Sequence, residues 1–131
     1  MMDRAFLYHD DGARPPSAPV YIVRVPNGIT SKDTLLRILG QQLGVPKYFG
    51  VNWDALDECL SDLSWIAVDD VCLWHEDLPL ASVPEEANAY LRVLQDVLDE
   101  PGRKAIQISF PKSVKAAIDS ILTSTTHRGN R

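Results

Sequence analysis

The chain has 131 residues, 45% of them hydrophobic and 24% charged, which is enough for one globular domain with a real core and too little for two. Eighteen acidic against 13 basic residues leave a formal charge of −5 and a pI near 5.0, which disfavours nucleic-acid or anionic-membrane partners and suits neutral or basic proteins. No apolar run is long enough to span a bilayer, and Met1-Met2-Asp3-Arg4 does not begin a secretory signal, so the cytoplasm is the expected compartment.

In chain order, residues 1–19 form an amino-terminal extension: a short apolar piece, Ala5-Phe6-Leu7-Tyr8, able to make an edge strand, then a polar loop rich in Asp, Gly and Pro. Val20-Tyr21-Ile22-Val23-Arg24-Val25 is rich in β-branched residues and stops at Pro26-Asn27-Gly28, which predicts a strand and a turn. Thr30 or Ser31 can cap the next helix, whose apolar stripe runs from Leu35 to Leu43 before Gly44 ends it.

Pro46 and Gly50 then punctuate a turn, and Asn52 stands where its side chain can accept from the free amides of a helix over about Trp53–Leu63. At 100° per residue, Trp53, Leu56, Cys59, Leu60 and Leu63 share one side, and Asp54, Asp57, Glu58, Ser61 and Asp62 share the other. Trp53 and Leu56 belong to the core on this reading. The like charges four residues apart each cost a few tenths of a kcal/mol. No Lys or Arg lies between Lys47 and Arg92, so nothing local offsets the acids, and a one-signed block of this kind suits a basic partner.

Val71-Cys72-Leu73-Trp74-His75 predicts a second strand. Pro84 can open the longest helix, with Ala87, Tyr90, Leu91, Leu94, Val97 and Leu98 buried and Pro101-Gly102 at its end. Ala105–Phe110 alternates as a third strand, and Val114, Ala117, Ile118, Ile121 and Leu122 mark an extra carboxy-terminal helix over 113–123. The domain should therefore span 20–123, followed by a flexible tail, 124–131. Strands joined by helical connections pair mostly in parallel, so the fold class is α/β, a small parallel sheet packed with helices.

An enzyme would need a nucleophile with its base, a metal cluster or a phosphate loop. Cys59 with His75 is the one Cys/His pair to weigh, and Cys59 follows the buried stripe. Cys59 and Cys72 read as reduced, buried thiols, and too few ligands are grouped for zinc, so neither a metal nor a cofactor is expected. Asp54 and Glu58 alone would hold Mg²⁺ only weakly.

The segment Leu43-Gly44-Val45-Pro46-Lys47-Tyr48-Phe49-Gly50-Val51-Asn52-Trp53-Asp54-Ala55-Leu56-Asp57-Glu58-Cys59-Leu60 resembles the barstar family of ribonuclease inhibitors, whose pattern is roughly L-x-x-P-x-Y-[YF]-G-x-N-[LW]-D-A-L-x-[DE]-C-L. The resemblance covers about Tyr21–Phe110. It implies a three-stranded parallel sheet and a loop and helix that plug the active site of a basic, barnase-like ribonuclease, with carboxylates standing in for RNA phosphates. By position, Asp54 resembles one principal binding acid, and Glu58 stands where the second, usually an aspartate, would be. Tyr48 matches a loop tyrosine that packs on the enzyme's catalytic histidine. Gly50 and Asn52 match the loop and helix start, and Asp96 falls near a further family acid. Asp57 departs from the family's exposed aromatic, and the aromatic near the helix end is replaced by Leu63, with Trp65 two residues later. Asp57 and Asp62 complete the acidic face. The expected protein is a monomeric inhibitor; the rival reading is an acidic immunity or interaction module for another basic toxin or regulatory protein. Homodimerisation through the extra helix is a weaker alternative.

Overall fold

The structure, a computed structural model, describes residues 6–17, 19–44, 52–99 and 105–128. Four strands, β1 (Leu7–His9), β2 (Val20–Val25), β3 (Asp70–His75) and β4 (Ala105–Pro111), form one sheet in the order β1-β4-β3-β2, every neighbouring pair parallel. The helices are α1 (Lys32–Leu43), α2 (Trp53–Asp62), α3 (Pro84–Asp99) and α4 (Lys115–Arg128), the last entered through a 3-10 turn at Lys112–Val114. The α/β class and parallel pairing agree with the sequence. The sheet has four strands rather than the three implied by the resemblance, because Leu7–His9 adds to β4, with Leu7 opposite Ser109.

Local chemistry sets the helix bounds. Ser31 caps α1 by accepting from the Thr34 amide, and Gly44 closes it at φ 71° with its N–H on the Gly40 and Gln41 carbonyls. Pro84 opens α3, whose first turn hangs from the Val83 carbonyl. Leu63 ends α2 at φ 50° without being glycine. That left-handed turn costs about 1–2 kcal/mol, which complete burial of the leucine side chain, about 1.5–3 kcal/mol, can offset. α4 runs further than its apolar spacing required, to Arg128.

Register places Val23, Leu73 and Ile108 on one face of the sheet, with Val25, His75 and Phe110 two residues on. These side chains are buried; the apolar ones join a core with Leu35, Leu36, Leu39 and Leu43 of α1, Leu56 and Leu60 of α2, and the α3 stripe. Among them lies a polar group, His75. The Ser109 carbonyl can only accept, so His75 Nδ1 donates to it at 3.0 Å and Nε2 accepts from the Tyr90 hydroxyl at 2.7 Å. Phe110 stacks on the ring at 4.0 Å.

The other face carries Arg24, Trp74 and Ser109 in register. Because β1 and β2 are parallel at opposite edges, the strap made by residues 10–17 must lead back diagonally across β4 and β3, about 25 Å, within reach of the connection's length. This strap is tied down by Lys112 Nζ on Asp10 at 2.8 Å and by the Ser113 amide donating to Asp11 at 3.2 Å. His9 stacks on Trp74 at 3.7 Å and bonds the Ser109 hydroxyl at 2.6 Å.

Burial holds His75 neutral by lowering its pKa from 6.5 to about 3. Above pH 6.5 the group is neutral in both states and contributes no pH dependence. Below it the unfolded chain takes up a proton that the folded chain refuses, so stability falls by up to about 1.4 kcal/mol per pH unit until the folded group titrates near pH 3. Urea unfolding between pH 6.5 and 4 should show this slope in the parent protein and a shallower one in His75→Gln, which is itself less stable. Equal slopes would assign the acid lability to other groups.

Candidate functional site

The Asn52 side chain accepts from the Ala55 amide at 2.8 Å and so starts α2 where the sequence places it. Leu56, Leu60 and Leu63 are buried, and α2 packs along α3. Asp54 and Glu58, four residues apart and hence one turn apart, are exposed. Asp57 and Asp62 are half-buried rather than fully outward; Asp57 is engaged within the molecule, and Asp62 accepts from the Ser64 hydroxyl at 3.3 Å. Asp96 is exposed on α3, the helix packed against α2. Tyr48 and Gly50 lie outside the described residues, on the connection that leaves Gly44 and enters Asn52.

Trp53 and Cys59 flank the leucine seam and are half-buried, so Trp53 packs at the margin of the core rather than within it. Its ring lies 6.0 Å from that of Tyr90, and Lys32 Nζ sits 5.3 Å from its centre. Lys32 is a cation beside the acidic helix that reading α2 alone could not supply, since it comes from the start of α1. The Tyr90 contact was partly legible: a tyrosine on a buried stripe must find a partner for its hydroxyl, and His75 supplies it. Trp65 is 42% exposed, and its indole N–H donates to the Leu43 carbonyl at 2.8 Å, tying the chain after α2 to the end of α1. Only its closeness to the helix end signalled this in the sequence.

The Cys59/His75 pair has no reactive partner chemistry. Both ring nitrogens of His75 are already bonded in the core. Burial, then the carboxylates of Glu58 and Asp62, push the Cys59 thiol up, which keeps it protonated and poorly nucleophilic. Cys72 is buried and its thiol is pushed up to about 11. Among the described residues no helix is long and apolar enough to cross a membrane.

A small parallel α/β domain that displays carboxylates from a capped surface helix is the class that this fold and site define. The chain belongs to the barstar family: the family model described as barstar (barnase inhibitor) matches residues 22–111, from β2 through β4. No curated protein matches the chain in sequence. The match leaves β1, the strap and α4 outside it.

Replacing the cap tests how α2 is held. Asn52→Ala should lower unfolding free energy by about 1 kcal/mol, while Asn52→Asp should retain most of it. An unchanged urea midpoint for the alanine variant would show that the leucine seam alone sets the helix start.

Proposed function

We propose that this protein inhibits a basic ribonuclease of the barnase type by seating α2 and the loop before it in the enzyme's active cleft. One observation carries the reading: Asp54 and Glu58 are exposed one turn apart, opposite the buried Leu56 and Leu60, in a stretch without a basic residue. The family supplies the kind of target, and the carboxylates would occupy the places of RNA phosphates. Tyr48, Gly50 and Asn52 would line the contact on the amino-terminal side, Asp62 and Asp96 would extend the acidic field, and Asp57, already engaged internally, would add less. The protein acts as a binder rather than a catalyst, as a monomer, in the reducing cytoplasm that suits two free cysteines.

Clustered carboxylates steer encounter with a basic cleft, and this part of the affinity is screened by salt. Truncating one partner of a buried charge pair costs about 2–5 kcal/mol, a range to which barnase–barstar itself contributes.

The test is inhibition of RNA cleavage by a barnase-type ribonuclease. Asp54→Ala and Glu58→Ala should each weaken binding by about 30-fold or more, with stability changed by no more than about 1 kcal/mol. Glu85→Ala, an exposed acid at the start of α3, should leave affinity unchanged. Raising the salt should slow association more than it speeds dissociation. Parent protein that fails to inhibit would redirect the acidic helix to another basic toxin or regulatory protein, with affinity capture as the next step.

A further inference from the structure

A cleft of about 340 Å³ opens at the carboxyl end of the sheet, between the strap and the sheet face opposite the helix-packed core. Its walls include His9, Arg14, Arg24, Asn27, Trp74 and Glu76, together with Asp11, whose carboxylate already accepts from the Ser113 amide. Carboxyl ends of parallel strands are where open α/β sheets commonly take ligands, because the loops there can be shaped without disturbing the ladder. The cleft is of small-molecule size, well above what a bare oxyanion fills.

Its chemistry is mixed in a specific way. Arg14 is exposed and has no hydrogen-bond or ion-pair partner among the described residues. Arg24 meets Glu76 only at 3.4 Å, with both side chains more than a third exposed, so that pair can open toward a ligand at little cost. Two guanidiniums suit an oxyanion. The Glu76 carboxylate and the Asn27 amide can instead take N–H and O–H donors, while the half-buried His9 ring, backed by the buried Trp74 on which it stacks, gives a flat wall. A ligand that answers all of these carries an anionic group, several donors and a planar ring.

We propose that this cleft binds a nucleoside monophosphate, the phosphate on Arg14 and Arg24 and the sugar and base toward Glu76, Asn27 and the aromatic wall. The site is built jointly by the family-matched segment and the strap outside it, so it belongs to this chain's extension as much as to its fold. It uses no residue of α2 and does not rest on the inhibitor reading.

The four common nucleoside 5′-monophosphates, the four nucleosides and inorganic phosphate would each be titrated into the full chain and followed by amide chemical shifts. Saturable binding by at least one nucleotide is expected, with shifts centred on residues 11–15, 24–27 and 74–76. Its affinity should fall about tenfold or more in Arg14→Ala, a substitution in an exposed loop that leaves the thermal midpoint unchanged, and Arg24→Ala should weaken it as well. The matching nucleoside and phosphate alone should each bind more weakly. No saturation by about 10 mM, equal affinity in both arginine variants, equal binding of bare phosphate, or shifts centred on α2 would each overturn the proposal.

Discussion

The buried imidazole of His75 is the contact on which the rest of the arrangement depends. An unpaired polar group at that depth would cost about 1–3 kcal/mol, so the fold must bring an acceptor to one nitrogen and a donor to the other. The acceptor is a backbone carbonyl of β4, and the donor is the Tyr90 hydroxyl on α3. Two directional bonds therefore lock β3 to β4 and set where α3 lies along the sheet, which non-directional leucine packing could not do alone. Tyr90 in turn meets Trp53 in the first turn of α2, and Lys32 sits over that indole. Position passes from the sheet, through one tyrosine, to the helix that carries the acids.

That helix keeps its acidic surface at modest cost. Repulsion between carboxylates one turn apart is worth a few tenths of a kcal/mol per pair, whereas each buried leucine contributes about 1.5–3 kcal/mol. Leu56, Leu60 and Leu63 are all buried, so the seam against α3 outweighs the repulsion several-fold. Asp54 also gains from the positive end of the helix dipole, and Lys32 stands near the same end. The exposed carboxylates of Asp54 and Glu58 remain on the surface, where a basic partner can relieve the repulsion that the free protein retains.

The elements that were legible in the sequence are those fixed by local chemistry. Asn52 and Pro84 begin their helices where their side chains dictate, Gly44 ends one, and the apolar periodicity of α3 names its buried residues. What was not legible depends on residues far apart in the chain. The apolar piece around Leu7 could be read as an edge strand, but its pairing with β4, from the other end of the chain, could not. Leu63 adopts a left-handed conformation that its side chain disfavours, which only its buried environment explains. In the candidate site the acids could be placed on one face, but Lys32 and the half-burial of Asp57 and Asp62 follow from how α1 and α3 meet α2.

The two edges of the sheet are covered to different extents, and this bears on how the domain can meet a partner. An edge strand offers unpaired amides and carbonyls to any other chain. On β2, the Arg24 amide is taken by the Gln42 side chain at 3.2 Å, and the Tyr21 hydroxyl donates to the Gln42 carbonyl, so α1 shields that edge. On the other side, β1 covers the carboxyl half of β4, and its three residues give way at once to the polar strap. The strap is held by a surface ion pair and one hydrogen bond from the Ser113 amide, contacts worth little singly, but the His9 stack on Trp74 anchors where it begins. Charge, by contrast, is displayed on α2, where Asp54 and Glu58 are exposed.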